Sequence, residues 1–345
     1  MAIYRHTSDL PPRARGAVVA IGNFDGIHRG HQQVLEQVER LAAAAQASTA
    51  VLTFEPHPRR FFQPDAPSFQ LTPFRLKARL IEALGIDNLF VLSFNRALSQ
   101  LGAEAFVRDI LVRDLRVRHV VVGDNFHFGH RRQGDGAYLA RMGRDLGFGV
   151  SVLPRIAGPN GEAYSSTAIR DYLMAGNPTR AALLLGRYWE IEGRVQAGAK
   201  LGRSLGFPTA NIPLSDSLEP ARGVYAVRAA ANHGAAMRWG AGVASLGVRP
   251  TVGGRDVLLE VHLFDVDRDL YGQHVRVALV DYLRPEWHFD SLEAMRAQMH
   301  EDARRARVIL AGEHWPADWP ASPFQPAATD GEGEGEEGGE EGAGP

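Results

Sequence analysis

The chain has no cysteine among its 345 residues, which excludes disulfides, zinc–thiolate centres and thiol nucleophiles and leaves the redox compartment open. No apolar run approaches the length of a membrane helix, and no long apolar segment follows the N-terminal charges. A cytoplasmic location is therefore expected, with no membrane partner. There is little net charge as well. The formal net charge is -2, but seven acids (Asp330, Glu332, Glu334, Glu336, Glu337, Glu340 and Glu341) crowd into a Gly/Glu tail, so residues 1–329 carry 38 basic against 33 acidic groups. That mild basic surplus suits a phosphate-rich small substrate and is too small and scattered to point to nucleic acid. Residues 313–345 read as a disordered, solvated extension. No internal repeat is evident.

What remains is enough apolar sequence for two cores. In the first half, apolar runs at Ala17–Ile21, Thr49–Phe54, Asn88–Ser93, Val117–Val122 and Val150–Leu153 alternate with helical spacing at Leu76–Leu84, Ala103–Leu111 and Ala137–Leu146. Strands alternating with helices predict a parallel sheet covered on both faces, with ligands beyond the carboxyl ends of its strands. From Arg187 the pattern changes to short β-rich runs, Trp189–Val195, Gly223–Ala230, Gly240–Ser245, Val257–Phe264 and Val275–Leu283, then a helix over Ser291–Ala311. Such a series predicts an antiparallel barrel or sandwich. The expected division is 1–184, 185–312 and the tail 313–345.

Unusual residues gather where the parallel strands should end. After the first run comes Gly22-Asn23-Phe24-Asp25-Gly26, then His28, Gly30 and His31 at the start of a helix. Two histidines three positions apart share a face of the first turn, where free N–H groups and the helix dipole favour anions. They could grip a polyphosphate, with Gly30 keeping the wall between them low and a nearby phosphate raising their pKa values. An isolated HxxH fits two surface histidines or a metal pair equally well. Phe54-Glu55-Pro56-His57-Pro58 follows the second run, its prolines fixing the path of the chain past a ligand or simply making a rigid turn. In Gly123–Gly129, Phe126 and Phe128 could line a flavin or adenine pocket with Asn125 as hydrogen-bond partner, or could be core. Ser165, Ser166 and Thr167 open another helix, and Arg170 within it adds a guanidinium to a second anion site.

In the second half, Gly198, Lys200, Gly202 and Arg203 lie in a glycine-rich loop that could fold over phosphates or form a flexible hairpin. Pro208-Thr209-Ala210-Asn211 follows it. Glu260 breaks a mostly apolar strand, either as a water-facing residue or as a carboxylate kept for chemistry.

Taken together, these strings resemble one family. Gly22–His31 resembles the GxFDGxHxGH signature of HxGH nucleotidyltransferases, and FDGIHRGHQ is most similar to the adenylyltransferase half of bacterial bifunctional riboflavin kinase/FAD synthetases. The FxFG loop, the SSTxIR string at Ser165–Arg170, PTAN, the LExHLF strand around Glu260, Asp269–Gly272 and Leu283–Glu286 also match, so the resemblance spans about residues 15–312. It implies a Rossmann-like nucleotidyltransferase domain and a riboflavin kinase barrel that convert riboflavin to FMN and FMN to FAD, with ATP and Mg²⁺. By the same resemblance, Gly22, Phe24, His28, Gly30, His31, Ser166, Thr167 and Arg170 would hold ATP, with His28, His31 and Arg170 acting on the transferred group. Phe54, Pro56, Asn125, Phe126 and Phe128 would hold flavin, as would Arg284 and Glu286 in the barrel. Thr209 and Asn211 would hold Mg²⁺, and Glu260 would be the kinase base. Many family members carry Asp at the position of Asn125. Ser245 stands where the family commonly has asparagine, and Trp287-His288 replace a usual polar-Lys pair, which puts flavin contacts there in question. Two other readings stay open: a different HxGH adenylyltransferase fused to a small barrel, and a non-catalytic flavin-binding regulator.

Overall fold

A computed structural model describes residues 1–158, 161–196, 206–231, 239–251, 254–266 and 270–312. Six strands of the first half, β1 (Ala2–Tyr4), β2 (Val18–Ile21), β3 (Thr49–Glu55), β4 (Asn88–Ser93), β5 (His119–Gly123) and β8 (Gly149–Leu153), form one parallel sheet in the order β1-β4-β3-β2-β5-β8. Its apolar residues split by parity between two cores. Val18, Ala20, Val51 and Leu89 face one side, beneath helices α1 (Arg29–Ala45) and α3 (Phe74–Ala83). Val19, Ile21, Leu52 and Val122 face the other, beneath the helical segment 103–114 and α6 (Gly136–Leu146). Burial on both faces explains why these strands read as continuous apolar runs. The chain winds outward from β2 in one direction and resumes at β5 on the other side, so the switch in strand order lies between β2 and β5, where open α/β sheets bind ligands.

Several expectations need adjustment. The strand expected at Val117–Val122 begins at His119, because the Val117 N–H donates to the Leu111 carbonyl and ends the preceding helix instead. That helix is π-wound over Phe106–Asp114, which places Phe106, Val107, Ile110 and Leu111 all in the core. Edge strand β1 is too short to show a period. Short helices α2 (Pro58–Phe62) and α4 (Arg96–Gln100) occupy stretches to which the spacing assigns no element, and β6 (His127–Phe128), within the Gly123–Gly129 loop, pairs with β7 (Gly134–Asp135).

Two helices, α7 (Ser166–Met174) and α8 (Pro178–Leu185), lead into the second sheet. Its strands are β9 (Trp189–Arg194), β10 (Ala210–Pro213), β11 (Gly223–Ala231), β12 (Gly240–Thr251), β13 (Gly254–Leu263) and β14 (His274–Arg284), all antiparallel in the order β10-β13-β12-β11-β14-β9. A bridge between Gln196 and Asn211 brings the two ends together, giving a near-closed barrel. The last helix, α9 (Leu292–Ala311), is capped by Ser291 and packs Ala306 and Leu310 against Val224, Ala226 and Val280 on the outside of the barrel. No helix among the described residues is long and apolar enough to cross a membrane.

The barrel interior is not filled by the barrel alone. Leu71, Ile169, Leu173, Leu184 and Leu185 join Trp189, Tyr225, Leu246 and Leu259 in one apolar cluster. The indole N–H of Trp189 donates to the Leu71 carbonyl at 2.8 Å, and Arg79 pairs with Glu192 at 2.6 Å across the same seam. The sequence boundary near residue 185 is therefore not a boundary in packing.

Candidate active sites

The loops at the switch point enclose a cavity of about 970 Å³. One wall is the turn between β2 and α1, in which Phe24, Gly26 and Ile27 all take positive φ (47°, 90° and 42°). This turn delivers His28 as the N-cap of α1. His28 Nδ1 accepts the His31 N–H at 3.3 Å, and the two rings stack at 3.7 Å and 16°. Since Nδ1 is the acceptor, the neutral ring carries its proton on Nε2. Burial first, then Arg187, lowers the His28 pKa to about 4 against the opposing pull of Asp25. Burial, then His28, Lys77 and Arg187, holds His31 well below its ordinary value. Both imidazoles are thus neutral N–H donors at neutral pH, and the cationic form would require a phosphate beside them. His31 Nδ1 is buried without a hydrogen-bond partner among the described residues. A Cβ at Gly30 would come within 3.2 Å of His28 Nδ1 and 3.3 Å of Tyr164, so glycine keeps this wall open. Gly22 likewise lies against the Phe24 ring, which is buried and tilted 5.1 Å from His31.

The facing wall is the start of α7. Ser165 caps it by accepting the Ala168 N–H at 3.1 Å, while Ser166 Oγ donates to the Asp25 carbonyl at 2.8 Å and Thr167 is exposed. Two helix N-termini, of α1 and α7, thereby open on the same cavity. Arg170 lines it too, but its guanidinium is engaged: Nη2 pairs with Asp25 Oδ2 at 2.6 Å and Nε donates to the Phe69 carbonyl at 2.8 Å. Asp25 Oδ1 also accepts from Leu71 N, Thr72 N and Thr72 Oγ1. Asp25 is thus the hub joining the two walls, and sequence reasoning overlooked it. The available signal was a carboxylate inside an otherwise apolar and glycine-rich turn.

Aromatic residues line the remainder. Phe54 and Phe126 border the cavity with Phe94, and Phe126 stacks on Phe128 at 5.4 Å. Phe128 is mainly core, packed on Phe106 and Tyr138. Asn125 is exposed at the rim. Pro56 is the exception: the cavity is lined by Phe54, His57 and Pro58 but not by Pro56, whose peptide bond to Glu55 is cis. His57 caps α2 by accepting the Arg59 N–H, and burial lowers its pKa to about 4.

In the barrel, Asn211 on β10, Glu260 on β13 and Ser245 on β12 are direct cross-strand partners, and so share one face. Val224, next in that row, packs beneath α9, so the row lies on the outer face of the barrel beside that helix. Thr209 sits half-buried just before β10. Nearby, Phe207 touches His262 and His300, and a Cβ at Gly247 would run into Glu286 Oε1. Arg284 is placed differently from the flavin contact expected of it. Its guanidinium forms a buried bidentate pair with Asp302 of α9 at 2.8–3.1 Å and donates to the Pro285 carbonyl, with the exposed Trp287 ring over it at 4.7 Å. It anchors the helix. Gly198, Lys200, Gly202 and Arg203 lie outside the described residues, as do Asp269 and the acidic tail.

A parallel sheet with paired histidines at its switch point, sharing a core with an antiparallel barrel that carries a carboxylate beside a PTAN strand, defines a nucleotidyltransferase joined to a kinase. Family models match accordingly, FAD synthetase over residues 10–168 and riboflavin kinase over 185–310. The chain belongs to the bifunctional riboflavin kinase/FMN adenylyltransferase family. The relative of that name from Escherichia coli K12 is 41% identical over 295 residues, covering 86% of this chain and 93% of its own. The Pseudomonas fluorescens relative is 41% identical over 312 residues, covering 90% and 98%. A solved structure described as a macrolide-efflux protein from Streptococcus pneumoniae superposes with a TM-score of 0.78 at 28% identity, over 88% of this chain and 98% of that one. That likeness carries the fold through both halves. The kinase match disfavours an unrelated barrel fused to another adenylyltransferase.

Proposed function

We propose that the chain phosphorylates riboflavin to FMN on the outer barrel face and adenylylates FMN to FAD in the switch-point cavity, using ATP in both steps. The observation that carries the second assignment is the meeting of His28, His31 and the N-termini of α1 and α7 at one end of a cavity whose other end is aromatic. FMN's phosphate is already ionised, so this reaction needs no general base. It needs alignment of that phosphate with the α-phosphorus of ATP and donors for the charge that develops on the departing pyrophosphate. His28 Nε2–H, His31 and the backbone N–H groups at the two helix starts are such donors. Arg170, fixed by Asp25, holds the walls at their spacing.

In the barrel the ribityl hydroxyl must lose its proton as the γ-phosphoryl group arrives, and Glu260 is our candidate for the base that takes it, supported by its position opposite Asn211 on one face of the barrel. Thr209 and Asn211 present hard oxygens beside it, the donor chemistry Mg²⁺ requires. Bound there, the ion would neutralise charge on the nucleotide phosphates.

Purified protein incubated with riboflavin, ATP and Mg²⁺ should yield FMN first and then FAD by chromatography. Substituting Glu260→Gln should lower FMN formation by about 10²–10⁴-fold while FAD formation from supplied FMN continues. Substituting His28→Ala should have the reverse effect. Equal loss of both activities in either variant defeats the two-site assignment, and tight flavin binding without any product returns the regulator reading.

A further inference from the structure

The turn that presents His28 is held from the other half of the molecule. Arg187, two residues before β9, is only 2% exposed, and its guanidinium reaches back to donate to the carbonyls of Gly26 (2.7 Å) and Ile27 (3.2 Å). These residues have positive φ, which a β-branched residue such as Ile27 adopts only when its surroundings impose it. Gln32 of α1 reinforces the tie, its amide donating both to the Ile27 carbonyl at 2.9 Å and to that of Leu185, at the end of α8, at 2.8 Å. One buried cluster therefore joins the turn, the first helix and the entry to the barrel.

We propose that Arg187 is a positioning residue for adenylyl transfer, supplied by the kinase half: by fixing the Gly26 and Ile27 carbonyls it sets the direction in which His28 meets the nucleotide. The proposal rests on the reading of the His28 cavity as the adenylyl-transfer site. Burial lowers the Arg187 pKa only to about 10, so it remains a cation at neutral pH behind the first turn of α1. That charge also helps keep both histidines neutral. The other charged groups acting on the pair are Asp25, Arg170 and Lys77, and His28 acts on His31.

The test uses Arg187→Met and Arg187→Lys in the full chain, with phosphorylation of riboflavin and adenylylation of FMN assayed separately. For Arg187→Met, kcat for adenylyl transfer should fall by about 10²-fold with little change in the KM for ATP, while phosphorylation is retained. Arg187→Lys keeps the charge but lacks the planar fork whose two nitrogens meet the two carbonyls separately, so it should recover only part of the loss. The NMR titrations of His28 and His31 should move upward in Arg187→Met and less in Arg187→Lys. Unaltered adenylyl transfer overturns the proposal. So does a parallel fall of both activities without rescue by lysine, which would leave Arg187 a purely structural tie. If the methionine variant does not fold, the lysine variant decides alone, because an unchanged adenylyl-transfer kcat there overturns the role. A His28→Ala variant with full adenylyl transfer would remove the site reading itself, an outcome separate from either result at Arg187.

Discussion

At the scale of single residues, the switch-point cavity depends on histidines kept uncharged. His28 and His57 are lowered from an ordinary 6.5 to about 4, in both cases chiefly by burial, and burial also holds His31 well below 6.5. In the unfolded chain these rings take protons near the ordinary value, whereas in the folded chain they refuse them until the lower one. Between the two, the unfolded state binds more protons. Stability contributed by these groups is therefore fully present above pH 6.5 and is lost as pH falls towards about 4, with a limiting slope of about 1.4 kcal/mol per pH unit for each ring. Urea unfolding across that window should show this slope, and His57→Asn should reduce it by one proton, since asparagine retains the acceptor that caps α2. An unchanged slope in that variant would contradict the burial argument. Asp25 shows what residue-level reading misses. The four contacts its carboxylate accepts reach Leu71, Thr72 and Arg170, all distant in sequence, and such pairings leave no local pattern.

At the scale of elements, legibility followed periodicity. Strands buried on both faces announced themselves as apolar runs, and the motifs at strand ends and helix starts were brought into one cavity because the sheet topology puts all such ends on one side. Elements of three or four residues, β1 and β10, carry no usable period. The aromatic wall of the cavity was only half legible, since Phe94 and Phe62, which also line it, lie in segments with no distinguishing string. Arg284 was read as a ligand contact because its neighbours match a motif, whereas its buried partner, Asp302, sits eighteen positions away on α9. That pair and the apolar contacts of Ala306 and Leu310 hold α9 against the face carrying Glu260. Asp302→Ala leaves a buried guanidinium without its carboxylate and should destabilise the protein by about 3–5 kcal/mol in urea unfolding. The exposed Arg307–Asp265 pair ties the same helix to the turn after β13. Arg307→Ala should leave the midpoint nearly unmoved, and a comparable loss from both variants would mean that helix docking does not depend on the buried pair.

At the scale of the molecule, the two catalytic halves form one folding unit. Composition divides the chain near residue 185, but α7 and α8 place Ile169, Leu173, Leu184 and Leu185 into the cluster that fills the barrel, and Leu71 joins them from the loop before α3. The backbone follows suit: Ala221 N donates to the Leu173 carbonyl at 2.9 Å, and Leu218 N to that of Gln70 at 2.8 Å. Neither half can expose this surface without losing part of its own core. Heating should therefore produce a single calorimetric transition whose van't Hoff and calorimetric enthalpies agree. Leu173→Ala, at the centre of the seam, should lower stability by about 2–5 kcal/mol and shift the loss of both activities to the same lower temperature. Residues 1–184 expressed alone should aggregate, because the apolar face of α7 and α8 would have no barrel to cover it. Two resolved transitions, with Leu173→Ala moving only one of them, would show that the halves fold independently and that the shared cluster is contact without cooperativity.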